Sequence, residues 1–67
     1  MNRALLKAKM AERDVNQRDM AKALRMHDSA VSLKLRGKRK MTIEDAEDIA
    51  RWLELEDEEI IRIFFNT

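Results

Sequence analysis

The absence of cysteine from a chain of 67 residues is the feature that most constrains its fold. A domain of this length buries only about 60% of the surface that its unfolded chain exposes, and no disulfide or thiolate–metal site can add stability. Stability must therefore come from packing a small core. Proline is also absent, and the strong helix formers Ala, Leu, Lys, Arg, Glu and Met dominate the composition. We predict one all-α domain, residues 1–67, too small for a deep catalytic cleft.

The net charge of +1 hides two halves of opposite sign. Residues 1–41 contain 12 Lys and Arg against 4 Asp and Glu, a charge of +8, whereas residues 42–67 contain 2 against 9, a charge of −7. Such a chain has a directional electric field whatever its total charge. Either the halves are two solvated surfaces of different composition, or the basic half faces a polyanion and the acidic half is turned away from it.

Apolar residues at three- and four-residue spacing predict five short helices. In helix 1, residues 2–13, the spacing is set by Leu5, Leu6, Lys9 and Met10. A short turn at residues 14–15 follows. Helix 2 runs from Gln17 to about Leu24, with Asn16 as its N-cap and Asp19 as the capping-box partner. Its expected buried residues are Met20, Ala21 and Leu24.

Helix 3 is predicted to begin at His27 or Asp28 and to end near residue 35 or 36. The only glycine, Gly37, follows it and is suited to the left-handed conformation that ends helices. Helix 4 has Thr42 as its N-cap and acids in its first turn, where the helix dipole favours them. Helix 5 covers residues 57–65. The side chains expected in the core of this half are Val31, Leu35, Ile43, Ala46, Ile49, Ala50, Leu53 and Phe64.

Only about three residues separate helices 2 and 3, and so short a turn favours the steep crossing of a helix-turn-helix. The segment NQRDMAKAL, followed by MHDSAVSLKLRGKRKMTIEDAEDIARWLEL, resembles the phage Cro/repressor (XRE-type) helix-turn-helix family over nearly the whole chain. The resemblance implies a compact, five-helix, lambda-repressor-like DNA-binding domain, most similar to small phage and prophage members. Its most specific matches are Gln17, Met20, Ala21, Leu24, Val31, Ser32, Gly37 and Lys38, then Thr42, Ile43, Glu44 and the terminal Ile63, Phe64 and Phe65.

The sequence departs from the family pattern at two positions. Arg25 stands where the family usually has glycine, so a left-handed turn there would carry strain on the order of 1 kcal/mol. Lys34 stands where many members have an apolar residue, and we expect Leu35 to make that core contact beside Val31. This exchange would rotate helix 3 slightly and change which of its side chains face outward.

The resemblance implies that helix 3, about residues 28–36, enters the major groove of DNA and reads base edges. The candidate base-reading residues are Asp28, Ser29, Ser32 and Leu33. Small serines allow close approach and bond to several bases. Leu33 either contacts a thymine methyl group or is an ordinary surface or packing leucine. For Asp28 we favour helix capping over contact with a cytosine amino group. For His27, the lone histidine, we favour a turn residue over a DNA contact.

A second group of residues is suited to the DNA backbone, which fixes position but carries no sequence information. Gln17 matches the family position that anchors a phosphate beside free helix N–H groups. The segment after helix 3 adds a dense run of positive charge, for which a solvated loop is the simpler alternative. The candidate phosphate-binding residues are Asn16, Gln17, Arg36, Lys38, Arg39 and Lys40.

The acidic half suggests orientation and self-association rather than chemistry. Glu44 and Asp48 lie one helical turn apart, but no nucleophile or histidine accompanies them, so we expect no enzyme and no metal. One helix-turn-helix reads a short half-site, and family members commonly dimerise on near-palindromic operators. We predict a weak homodimer through Trp52, Ile61 and Phe65, against the alternative of a monomer with an apolar tail.

Two functions remain open from the sequence. The first is a sequence-specific, double-stranded-DNA-binding transcription regulator that needs no cofactor or small-molecule ligand. The second is a protein-interaction module, such as an antitoxin or antirepressor, that captures a partner with its apolar C-terminal helix. No apolar run approaches the roughly 18 residues of a membrane span, and no signal peptide is visible. We therefore expect a bacterial cytoplasmic or nucleoid location and no membrane partner.

Overall fold

The protein folds into five helices joined by short turns. The computed structural model describes residues 1–65, and no strand occurs in that range. The all-α, five-helix architecture is therefore confirmed. Each predicted helix end lies within one residue of the observed one. The helices are α1 (Arg3–Glu12), α2 (Gln17–Leu24), α3 (Asp28–Leu35), α4 (Ile43–Leu53) and α5 (Asp57–Phe64).

Several helices are capped at their N-terminus by a polar side chain. This side chain accepts a hydrogen bond from a backbone N–H group that has no partner within the helix. Asn16 Oδ1 accepts from the Asp19 N–H at 2.9 Å, and Thr42 Oγ1 accepts from the Asp45 N–H at 3.0 Å. Asp19 and Asp45 in turn accept from the N–H groups of Asn16 and Thr42, which completes both predicted capping boxes. Asn2 caps α1 with its side-chain oxygen.

Helix α3 begins differently. Its N-cap is His27, whose side chain makes no capping hydrogen bond, and Asp28 is already the first helical residue. The prediction that Asp28 caps α3 is therefore wrong, because a capping side chain projects from an extended residue one position earlier. The Asp28 carboxylate instead lies in the first turn, where the helix dipole favours negative charge.

Each of the first four helices is followed, within two residues of its last helical residue, by a residue with left-handed backbone. These residues are Asp14, Arg25, Gly37 and Glu54, with φ of 54°, 57°, 77° and 54°. At each end, the N–H of the next residue donates to the carbonyl oxygen five positions earlier at 2.9 to 3.0 Å, as in a Schellman motif. That next residue is apolar at three of the ends, where Val15, Met26 and Leu55 pack against the core. The predicted left-handed Gly37 is confirmed.

The core lies where α2 packs against α3 and α4, and where α5 packs against α1 and α4. The expectation that Ile43 is buried is wrong: its side chain is 69% exposed. Ile43 is the first residue of α4, so it projects beyond the core that Ala46 reaches one turn later. Leu5, Leu24, Leu35 and Phe64 are half-buried and pack against the core. Its buried residues are Leu6, Met10, Met20, Ala21, Val31, Ala46, Ile49, Ala50, Leu53 and Ile63.

One ion pair ties α3 to α4. The ammonium group of Lys34 bonds to the Asp45 carboxylate, and both side chains are largely shielded from water, at 15% and 16% exposure. Asp45 also holds the cap of α4 through Thr42. Partial burial of Asp45 opposes its ionisation, but the hydrogen bonds from Lys34 and Thr42 outweigh that effect and lower its pKa. Lys34 therefore faces inward and fixes α3 against α4.

We expect Arg25→Gly to raise the free energy of unfolding by about 0.5 to 1 kcal/mol. Glycine removes the left-handed strain of about 1 to 2 kcal/mol, and part of that gain is offset by the greater freedom of glycine in the unfolded chain. Arg25→Ala removes the same exposed side chain and keeps the strain, so it should leave stability nearly unchanged. Urea unfolding followed by circular dichroism measures both. Equal stabilities for the two variants would contradict a strained turn.

We expect Asp45→Asn to lower the free energy of unfolding by about 1 to 2 kcal/mol at pH 7, because a charge-assisted hydrogen bond is lost. The pKa of Asp45 is lower in the folded state. Its contribution is therefore complete above the unfolded pKa, about 3.9, and is lost as the pH falls through the folded pKa. The difference between wild type and variant should shrink from pH 6 to pH 2 in urea titrations.

The matched control is Asp48→Asn. Asp48 pairs with Arg51 at 2.7 Å, but both side chains are much more exposed than the Lys34–Asp45 pair. Exposed pairs contribute about 0 to 1 kcal/mol, so this variant should be nearly neutral at every pH. If Asp45→Asn and Asp48→Asn lowered the free energy of unfolding equally and independently of pH, the Lys34–Asp45 pair would contribute no more to stability than an exposed pair.

Candidate nucleic-acid interface

Helices α2 and α3 form a pair joined by three residues, Arg25 to His27. Arg25 reverses the chain with left-handed angles (φ 57°, ψ 45°), and His27 is extended. The Met26 N–H donates to the Ala21 carbonyl at 2.9 Å, which closes the end of α2. Ala21 itself is buried, as expected for a small residue where two helices meet. Together these contacts determine where α3 starts and in which direction it leaves the turn.

The outer side of α3 is exposed at its two ends and half-buried between them. Val31 is buried, and the residues on the opposite side, Ser29 and Arg36, are exposed. Ser32 and Leu33 are half-buried, so the expected fully exposed leucine is not observed. Among the described residues, Leu33 is not one of the half-buried apolar side chains that pack against the core, whereas Leu35 is. The candidate base-reading side of α3 is therefore exposed at Asp28 and Ser29 and only partly covered at Ser32 and Leu33.

The start of α3 is held beside the start of α2 by polar contacts. The Gln17 side-chain amide donates to the Asp28 carbonyl oxygen at 3.5 Å, a long bond. The Asp28 carboxylate lies 3.7 Å from the Arg18 guanidinium group, and both are exposed. Asp28 thus has a cationic neighbour that compensates its charge. Asn16 uses its side-chain oxygen as the α2 cap, which leaves its amide nitrogen as a possible donor to a phosphate.

The segment after α3 is shaped by the end of that helix. The N–H groups of Lys38 and Arg39 both donate to the Leu33 carbonyl, at 2.9 and 3.2 Å, and Gly37 supplies the required positive φ. Arg36 to Lys40 are all exposed, and none of their cations forms an ion pair with a described residue. The run of positive charge is therefore a defined turn that holds its cations in water at one end of α3.

Other basic residues of the first half form ion pairs with acids, most of them in the second half. Lys9 of α1 pairs with Glu12 and with Glu59 of α5, and Arg13 pairs with Glu54 at 2.8 Å. The hydrogen bond that the Lys9 ammonium group donates to Glu59 is the largest of the contacts that raise the pKa of Lys9. The backbone N–H of Glu56, followed by Lys9, lowers the pKa of Glu59. Acids of the second half thus pair with Lys9 and Arg13 on one side of the basic half, whereas Arg36, Lys38, Arg39 and Lys40 form no ion pair with a described residue.

Sequence reasoning missed two cations that the fold brings to this end of the molecule. Arg3 and Lys7 of α1 line an open hollow of about 440 Å³ together with Gln17 and Arg36. Arg3 also lines an adjoining hollow with Arg39 and Lys40. The sequence contained one signal, the spacing of Arg3 and Lys7 by one helical turn. Only the fold, which places Arg3 and Lys7 on the same hollow as Gln17 and Arg36, shows that this signal matters.

The residues predicted to form a dimer interface lie on different parts of the surface. Ile61 and Phe65 are exposed, at 59% and 55%. Trp52 is half-buried and lines a hollow formed with α2 residues. Phe65 lines another hollow beside Ile43 and Met1, both of which expose apolar surface. The apolar surface around Phe65 therefore includes Ile43, which was expected in the core, rather than Trp52.

No group of three or more His, Asp or Glu side chains in residues 1–65 is arranged to hold a metal ion. In the same range, no helix has the length and apolar character needed to cross a membrane. No protein-family model matches the sequence, and comparisons with curated proteins and with solved structures found no match. The resemblance to the Cro/repressor family therefore stays a prediction that rests on the matching residues themselves.

Proposed function

We propose that the protein is a sequence-specific DNA-binding transcription regulator of the Cro or repressor type. The observation that carries the proposal is the side of α3 from Ser29 to Arg36, which is exposed at its ends and only partly covered between them, followed directly by a turn of exposed cations. A B-DNA major groove admits one helix, and the flanking phosphates attract positive charge. Such a protein would act in the bacterial cytoplasm, at the nucleoid.

Base reading is assigned to Ser29, Ser32 and Leu33. The two serines are small enough to let the helix backbone approach the base pairs, and their hydroxyl groups both donate and accept. Asp28 is the least favourable member of the predicted set because its carboxylate would face phosphates. Its neighbour Arg18, 3.7 Å away, reduces that repulsion. We retain Asp28 as a contact to a cytosine amino group.

Backbone positioning is assigned to the exposed turn and to the start of α2. Arg36, Lys38, Arg39 and Lys40 surround one end of α3, and Gln17 lies near its other end through the contact with Asp28. Phosphate contacts at both ends of a recognition helix fix its register in the groove. We assign Asn16 a minor role because its side-chain oxygen is already used as a cap.

The exposed apolar residues favour self-association, and they also support a second function. Ile43, Ile61 and Phe65 each expose more than half of their surface, which singly is common but together suggests a contact with another chain. In a regulator, this surface would join two copies on a near-palindromic operator. In the alternative, an antitoxin or antirepressor, it would capture a different protein. Sedimentation with and without duplex separates the two, since only the regulator requires DNA for its larger species.

Selection of tight binders from a pool of random duplexes tests the proposed function directly. A regulator of this type should enrich a consensus with two related half-sites about 10 base pairs apart, centre to centre. Failure to enrich any sequence, together with tight one-to-one capture of another protein, would favour the interaction module.

We expect Lys38→Ala and Lys40→Ala each to flatten the salt dependence of DNA binding. Removing one phosphate contact reduces the slope of log K against log salt concentration by about 0.9. The loss of affinity should be the same on specific and non-specific duplexes, because phosphates carry no sequence information. Fluorescence anisotropy at several salt concentrations measures the slope. Unchanged slopes would remove the turn after α3 from the interface.

We expect Leu33→Ala to change sequence preference rather than general affinity. If Leu33 contacts a thymine methyl group, the variant should lose about 1 to 3 kcal/mol of discrimination at one base pair and keep its salt slope. Replacing that thymine with uracil, which lacks the methyl group, should reproduce the loss for wild type and have no further effect on the variant. An unaltered consensus for the variant would restrict Leu33 to packing.

A further inference from the structure

We infer that the hollow between α1 and the end of α3 receives the sugar–phosphate backbone of the duplex, so that α1 belongs to the DNA-binding surface. The inference rests on the proposed function and extends it to Arg3 and Lys7. The same hollow is lined by Gln17 and Arg36, which are already assigned to phosphates. A DNA strand held by these two residues would therefore lie beside the two α1 cations that line the hollow with them.

The lining of the hollow fits a deoxyribose–phosphate chain. Its apolar lining residues Leu6, Met10 and Leu35 are buried or half-buried, whereas its cationic lining residues Arg3, Lys7 and Arg36 are exposed. Deoxyribose carbons are apolar and phosphates are anionic, so the two components of the backbone match the apolar and the cationic lining residues. A volume of about 440 Å³ is sufficient for a sugar with its phosphate.

Charge pairing distinguishes the two sides of α1. Lys9 and Arg13 pair with acids of α5 and of the turn after α4. Arg3 and Lys7 are exposed and form no ion pair with a described residue. At 100° per residue, Lys9 projects about 200° away from Lys7. The side of α1 that faces the fold is therefore neutralised internally, and the side that faces the hollow keeps its charge.

The cationic surface is continuous with the turn after α3. Arg3 lines both the α1 hollow and the adjoining one that contains Arg39 and Lys40. A DNA strand could thus run past Gln17 and Arg36, then along Lys7 and Arg3, to the turn after α3. Positively charged side chains would lie beside it along this path. This path extends the backbone contacts beyond the helix-turn-helix itself.

The test compares Arg3→Ala and Lys7→Ala with Lys22→Ala, a charge-matched control. Lys22 is exposed on α2. In the described part of the chain, it does not line the hollows that are lined by Arg3 or Lys7. Each α1 variant should reduce the salt slope by about 0.9. Between 50 and 200 mM salt, the fall in the binding constant of the double variant should consequently be about tenfold smaller than the fall for wild type. Lys22→Ala should keep the wild-type slope. Circular dichroism confirms that the exposed substitutions leave the fold intact.

Three results would overturn the inference. If the α1 variants match Lys22→Ala while Lys38→Ala and Lys40→Ala flatten the slope, the protein binds DNA but the hollow lies outside the interface. If Arg3→Ala and Lys7→Ala reduce binding of inorganic phosphate and leave the DNA slope unchanged, the hollow is a small-anion site. If wild type binds no duplex at all, the proposed function fails and the assignment of the hollow fails with it.

Discussion

Four left-handed helix ends determine the shape of this protein. A chain with no proline and one glycine has few residues that stop a helix, yet it forms five helices of 8 to 11 residues. Asp14, Arg25 and Glu54 adopt positive φ although each carries a side chain. The strain, about 1 to 2 kcal/mol for each residue, is offset by the hydrogen bonds that close each helix and by the apolar residue that follows and enters the core. The directions of α3 and of the basic turn both follow from these ends.

Two of the four ends frame the proposed recognition helix. The end at Arg25 sets where α3 begins, and the end at Gly37 sets how the cations after it are presented. The ion pair of Lys34 with Asp45 then fixes α3 against α4 from the inner side. The outer side of α3 consequently takes no part in these contacts. Its position depends on backbone geometry at both ends and on one shielded charge pair.

In the folded protein, acids of the second half pair with only some of the basic residues of the first half. Part of the +8 charge of residues 1–41 is compensated by acids of the second half, through Lys9, Arg13 and Lys34. Of the cations without such partners, Arg3, Lys7, Arg36, Lys38, Arg39 and Lys40 lie beside the hollows and the turn at the end of α3. The acidic half therefore has two effects: it stabilises the fold, and it leaves positive charge concentrated at one end of the molecule. A polyanion would meet that end first.

Local chemistry predicted the helices well because caps and helix stops act within four or five residues. Asn16 with Asp19, Thr42 with Asp45, and Gly37 all had their expected roles. The errors arose where the outcome depended on tertiary structure. Ile43 fits the apolar spacing of α4 but precedes the core, and Asp28 lies one residue too late to cap α3.

The grouping of residues on the candidate DNA-binding face was predictable only in part, for the same reason. The residues on α3 and in the turn after it are adjacent in the sequence, so their grouping followed from helical spacing. The contribution of α1 did not, because Arg3 and Arg36 are brought together by packing alone. The partner of Lys34 was also missed: an isolated lysine in an apolar stripe gives no indication of which acid it meets.

The central claim is that the Ser29–Arg36 side of α3 lies against duplex DNA. Its most direct test is an NMR titration of the ¹⁵N-labelled protein with a duplex obtained by selection. The account predicts that backbone amides of residues 28–33 and 36–40 shift most and that those of α5 keep their positions, apart from residues at a contact between two copies. Shifts centred on α5 and Ile43, with the amides of α3 unmoved, would contradict it.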